Sequence, residues 1–179
     1  RQNLKIIIVG CGKVGTTIAE QLASENHDIV IIDTDAEHLE ELNTNLDVMC
    51  VEGHGEDASV LKEAGVESCN LLIAIKRSDE LNLLTCLIAK KLGAKNTIAR
   101  VRNPIYTNGI NLIKDDLGLS MYINPELAAA NEISRLIRFP SAIKVETFAK
   151  GRVEILKYKI PDNSILNDIR IHQLKTHIK

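Results

Sequence analysis

Tryptophan is absent from this chain, and aromatic residues make up only 3% of it. Proteins that grip single-stranded nucleic acid need aromatic faces on which bases stack, so that class is not expected. No block of basic residues stands out: Lys plus Arg number 22 against 24 Asp plus Glu, a formal charge of −2. Without a positive stripe there is no electrostatic footprint for a phosphate backbone, and nucleic acid is not an expected partner. Long apolar runs are missing too. Ile6 to Val9 and Leu71 to Ile75 fall far short of the roughly 20 residues of a spanning helix. No secretory pattern is visible, and a cytoplasmic location is the expectation. Cysteines are few, and Cys11, Cys50, Cys69 and Cys86 form neither a C-x-x-C pair nor a ligand-spaced cluster with histidine. A metal site is therefore not expected. Each cysteine lies in or beside an apolar run, as a small buried hydrophobe in a reducing compartment does.

What remains is an ordinary globular composition, 45% hydrophobic and 26% charged over 179 residues, enough to bury a core. The first 140 residues alternate short β-branched runs with segments of helical period, the pattern of a parallel sheet covered on both faces. Strands are expected at Lys5 to Val9, Ile29 to Ile32, Asp47 to Val51, Leu71 to Ile75, Thr97 to Val101 and Met121 to Ile123. Between them run five helical segments. Val14, Ile18 and Leu22 mark the first; Leu39, Leu42 and Leu46 the second, with Asp35 as its N-cap; Val60, Leu61 and Ala64 the third, opened by Asp57 and closed by Gly65. Ser78 caps a fourth, whose face is Leu81, Leu84, Ile88 and Leu92, closed by Gly93. Pro104 starts a fifth, carrying Ile110, Ile113 and Leu117 to Gly118. The expectation is a doubly wound, six-stranded Rossmann-like α/β domain over residues 1–124. Pro125 begins a further helix, with Leu127, Ala130, Ile133, Leu136 and Ile137 as its stripe, interrupted by Pro140. Residues 125–140 read as an arm that packs on another domain or subunit. From Ile143 the period becomes two, with Lys150-Gly151 as a turn and Pro161 as a stop, a hairpin opening a small α+β lobe over 141–179. The chain starts without Met and stops at Lys179 inside a patterned segment, as an excerpt of a longer protein does.

The chemistry gathers at Gly10-Cys11-Gly12-Lys13-Val14-Gly15, a G-x-G-x-x-G between the first strand and the first helix. Gly10 permits the tight turn, Gly12 lets backbone approach a diphosphate, and Gly15 lets helix pack close to sheet. Free N–H groups and the positive helix terminus then face the phosphates. Asp33 follows 18 residues after Gly15 at the end of the second strand, where a carboxylate accepts hydrogen bonds from ribose hydroxyls and repels a 2′-phosphate. This favours NAD(H) over NADP(H), with ATP or ADP as the alternative, because they present the same ribose. The plainer readings are a connecting turn for the loop and a shared helix cap for Asp33.

Other polar residues fall at the carboxyl ends of the strands, the rim where such sheets bind ligands. Thr34 follows Asp33, Gly53 and His54 follow the third strand, Ile75 and Lys76 leave the fourth, and Arg100 lies near the end of the fifth. Lys13 reaches a phosphate from the loop or is a solvated surface lysine. Arg100 contacts phosphate or ribose, or forms an intrachain salt bridge. His54 sits in a glycine-flanked turn with no evident partner as a general base.

Five segments taken together, KIIIVGCGKVGTTIAEQL, HDIVIIDTD, VEGHGEDASVLKEAGVE, LLIAIKRSDELNLLTCLIAKKLGAKNTIARVRNP and NPELAAANEISRLI, resemble the regulator-of-potassium-conductance (RCK/KTN) domain family over residues 4 to about 138. Many members read Gly-Asp-Ala after the third strand; here Gly53, His54 and Gly55 stand there, with the acids displaced to Glu56 and Asp57. The resemblance implies a non-catalytic cytosolic subunit that dimerises through the helical arm and assembles into a ring. It implies that NAD(H) or ATP/ADP binding gates a Trk-type potassium-translocating membrane subunit. Lys13 and Arg100 would then lie near phosphates, and Glu126 near an inter-subunit cation or phosphate site; Glu126 is equally well read as a first-turn carboxylate favoured by the helix dipole. The competing functions are an NAD-dependent oxidoreductase, which needs a proton donor in a substrate-holding domain, and an assembly module that binds nothing.

Overall fold

The computed structural model describes residues 3–138, 142–148, 153–167 and 169–173. The chain divides into two units, Arg1–Pro125 and Glu126–Lys179. In the first, β1 (Lys5–Val9), β2 (Asp28–Asp33), β3 (Met49–Glu52), β4 (Leu71–Ala74), β5 (Asn96–Arg100) and β6 (Met121–Ile123) form one parallel sheet in the order β3-β2-β1-β4-β5-β6. The helices are α1 (Lys13–Ser24), α2 (Ala36–Asn45), α3 (Ala58–Glu63), α4 (Asp79–Lys91) and α5 (Pro104–Ile113). This is the doubly wound Rossmann-like α/β fold.

Alternation along each strand builds two core layers. Ile6 and Ile8 of β1, with Ile29, Ile31, Ile73 and Ile75, face Ala19 of α1 and Leu39 and Leu42 of α2. Ile7 and Val9, with Val30, Ile32, Leu72 and Ala74, face Leu61 of α3, Cys86 and Ala89 of α4 and Ile110 of α5. Both faces of the central strands are covered, which is why they read as unbroken aliphatic runs. The strand order reverses between β1 and β4, the switch point at whose carboxyl-end side such sheets take ligands.

Local chemistry sets the helix starts. Asp35 accepts from the His38 amide, Asp57 from Ser59, Ser78 from Leu81 and Asn103 from Ile105, so α2 to α5 each carry a side-chain cap. Two expectations need correction. β3 begins at Met49 rather than Asp47, because Leu46 still closes α2, its amide donating to Leu42 O at 2.9 Å. In α4 the buried row is Asp79, Asn82, Thr85, Cys86 and Ala89, while Leu84 is 43% exposed. Small and polar residues let this helix lie close to the strand ends, and the bulkier leucines flank the contact.

In the second unit, α6 (Pro125–Arg138) has no buried residue among those described, and its apolar residues Leu127, Ile133, Leu136 and Ile137 are all exposed. β7 (Ala142–Phe148) and β8 (Val153–Tyr158) pair antiparallel, with a register shift between Ala142 and Lys144. Pro140 and the Lys150-Gly151 turn lie outside the described residues. Among the described residues no helix is long and apolar enough to cross a membrane.

Candidate functional site

The glycine loop is shaped by what its glycines omit. Gly10 has φ +104°, and a Cβ there would stand 3.0 Å from the Lys76 amide nitrogen, so the loops after β1 and β4 touch through bare backbone. A Cβ on Gly15 would lie 2.0 Å from Gly10 O, whereas one on Gly12 would meet nothing within 4 Å. Gly15 is thus needed to fold the loop. At Gly12 the omitted side chain faces open space, where a ligand can approach the backbone. Gly12 is also the N-cap of α1 and provides no side-chain cap, in contrast to α2 to α5. The first amides of α1 are left for an outside acceptor.

Asp33 binds this loop to β2. Its Oδ2 accepts from the Cys11 amide at 2.7 Å, and its Oδ1 accepts from Thr34 at 2.7 Å and Asp35 at 3.1 Å. Burial works to raise the Asp33 carboxyl, but these donors outweigh it and hold it below the usual carboxylate range. Burial, reinforced by the neighbouring carboxylate, pushes the Cys11 thiol up to about 12.

Along the rim, Gly53 donates its amide to Asp33 O at 2.8 Å, which joins the end of β3 to the same corner. Lys76 Nζ lies 3.1 Å from Glu56 Oε2, and His54 Nδ1 lies 3.4 Å from Glu56 Oε1. Glu56 is therefore the partner that sequence reading did not find for His54. Burial raises the Glu56 carboxyl, yet hydrogen bonds from its own backbone and from Lys76 bring it below its ordinary value. Ile75 is buried in the α1/α2 layer, Val14 packs against that layer, and Lys13 is exposed in the first turn of α1. Arg100 is half-buried; burial first, then Arg102, lowers its basicity, and Asp79 opposes them.

Two residues missed in the sequence organise this rim. Asn82, wholly buried, accepts from the Lys76 amide at 2.8 Å and donates to Lys76 O at 2.9 Å and Arg100 O at 3.0 Å, tying the ends of β4 and β5 together. Its signal was an amide on the Asp79, Asn82, Cys86 and Ala89 row. His38, in the first turn of α2, places Nε2 2.8 Å from Cys11 O and 3.2 Å from Thr16 Oγ1. A polar side chain three residues after the Asp35 cap was its signal.

Fold and loop together define a doubly wound Rossmann-type domain with its glycine-rich turn at the switch point. The chain belongs to the TrkA-N domain family, the RCK amino-terminal domain, which matches residues 6–125. It is 41% identical over 161 residues to the Trk system potassium uptake protein TrkA homolog of Archaeoglobus fulgidus, covering 90% of this chain and 36% of that one. It is also 41% identical over 158 residues to the Trk system potassium uptake protein TrkA of Halomonas elongata, covering 87% and 35%. The chain therefore spans about a third of the length of these curated relatives. Among solved structures, the TrkA-N domain of the inner membrane protein ybaL from Escherichia coli superposes with TM-score 0.67 at 20% identity, covering 76% of this chain and 98% of that one. The GsuK channel bound to NAD gives 0.58 at 25% identity, with 68% and 21% covered, and GsuK bound to ADP gives 0.58 at 25%, with 69% and 31%.

Proposed function

We propose that this chain is the nucleotide-sensing part of a cytoplasmic regulatory subunit of a Trk-type potassium uptake system, and that it takes NAD(H), or ATP/ADP in its place, at the glycine loop. The observation that carries this reading is the uncapped start of α1 at Gly12, with open space beside it and the Asp33 carboxylate at the adjoining strand end. Amides and helix dipole suit the diphosphate, and Asp33 suits a free ribose over a 2′-phosphate. Its relatives named for potassium uptake support the transport role, and the NAD and ADP named with GsuK support the ligand class. In this reading Gly10, Cys11, Gly12, Lys13, Val14 and Gly15 form the phosphate side, Asp33 and Thr34 the sugar side, and Gly53, His54, Ile75, Lys76 and Arg100 the remaining rim.

The exposed apolar stripe of α6 supports a role for residues 125–140 as a dimerisation arm, with residues 141–179 opening a carboxyl-terminal lobe. Glu126 stands in the first turn of α6, where the helix dipole favours a carboxylate. Gating of a membrane partner requires the nucleotides to favour two conformations differently; equal affinity for both would shift nothing. Calorimetric titration with NADH, NAD, ATP and ADP, with oligomeric mass followed throughout, tests the reading. Saturable binding of at least one is expected. No binding of any of the four overturns it, and hydride transfer from NADH to an offered carbonyl compound would replace it with an oxidoreductase.

A further inference from the structure

Both backbone polar groups of Cys11 are held. The Cys11 N–H is held by Asp33, as described; the Cys11 carbonyl accepts from Thr16 Oγ1 at 2.9 Å and faces His38 Nε2 at 2.8 Å. A carbonyl only accepts, so Nε2 carries the hydrogen in this contact. On the ring's other side Nδ1 lies 3.4 Å from the exposed Glu41 Oε2, a contact that is attractive only when Nδ1 carries a hydrogen as well. The His38 backbone is fixed as well, since its amide is the one that Asp35 caps.

In a trans peptide the carbonyl and the following N–H point in opposite directions. Among the described residues there is no cis peptide bond, so drawing the Cys11 carbonyl towards α2 turns the Gly12 N–H away from α2. Gly10 and Gly12 give this loop wide backbone freedom, which a ligand would otherwise have to remove on binding. A contact that removes it beforehand lowers the cost of association.

We propose that His38 is a positioning residue for phosphate recognition: from the first turn of α2 it fixes the Cys11 carbonyl and so presets the amides at the start of α1 for the diphosphate of a nucleotide. The inference rests on the nucleotide reading above. Its own content is that His38 acts on the phosphate side without touching the ligand.

The test compares His38→Ala and His38→Gln with the unchanged chain, using ADP, NADH and adenosine as probes. Alanine should weaken ADP and NADH by about five- to tenfold, the scale of one hydrogen bond, and leave adenosine affinity unchanged. Glutamine, whose side-chain amide can donate in place of Nε2, should restore most of the loss. Thr16→Val removes the other donor to the same carbonyl and provides a second route. It should act in the same direction, and non-additively with His38→Ala. Amide hydrogen exchange across residues 10–16 without nucleotide gives an independent readout, with faster exchange expected in His38→Ala. Unchanged ADP affinity, equal loss for adenosine, or failure of glutamine to restore binding overturns the proposal. If the unchanged chain binds no nucleotide, the functional reading falls, and loop exchange alone then decides whether His38 orders the loop.

Discussion

The Asp33 carboxylate accepts the Cys11 amide at 2.7 Å, so the acid proposed for the sugar side also anchors the loop proposed for the phosphate side. Asp33→Ala should therefore weaken NADH or ADP by about 10- to 100-fold, the range for a charged hydrogen-bond acceptor of about 1.5–3 kcal/mol. Calorimetry reads the loss, and unchanged affinity would remove Asp33 from the site.

The same carboxylate predicts a pH dependence of stability. Its folded pKa lies below the unfolded value of about 3.9. The stabilisation it supplies is thus full above that unfolded value and lost as pH falls through the lower folded one. Urea unfolding of the unchanged chain and Asp33→Asn should differ most near neutrality and converge in acid. A gap that widened in acid would contradict the assignment.

Gly12 and Gly15 should respond in different ways. Gly15→Ala places a Cβ 2.0 Å from Gly10 O and should reduce folding or thermal stability whether or not nucleotide is present. Gly12→Ala meets nothing within 4 Å and should fold normally while losing nucleotide affinity. Thermal unfolding with and without ADP separates the two.

Asn82 is not part of the glycine loop, yet it serves three backbone groups at the ends of β4 and β5, two of them on Lys76 beside that loop. Asn82→Leu should cost on the order of 2–4 kcal/mol, because buried peptide groups lose their partners. Chemical denaturation measures this directly. A neutral result would mean that water replaces the amide.

Thiol reactivity should follow burial. Burial pushes Cys11 and Cys86 up to about 12 and raises the Cys69 and Cys50 thiols as well, but of the four only Cys50 is partly exposed. With iodoacetamide at pH 8, mass spectrometry should find Cys50 modified first and Cys11 protected until the chain unfolds.

Much of the fold was legible because it depends on local pattern. The isoleucine runs of β1 and β2 announce strands covered on both faces, and Asp35, Asp57 and Ser78 announce helix starts through their own backbone-capping chemistry. The face of α4 was not legible: helical spacing marks the leucines, but close packing on strand ends selects Asn82, Thr85 and Ala89, a choice made by distance between elements. The G-x-G-x-x-G and Asp33 pointed to the crevice, whereas His38 became visible only when α2 came back beside the loop. The Lys76–Glu56 pair likewise depends on bringing β4 next to the segment after β3.

The contact between Gly10 and Lys76 has a mechanical consequence. Where side chains separate two lips of a cleft, rotamers absorb small displacements; here backbone rests nearly on backbone, without a compressible spacer. A displacement of one lip would accordingly reach the other with little slack, and through the hydrogen bonds of Asn82 the end of β5.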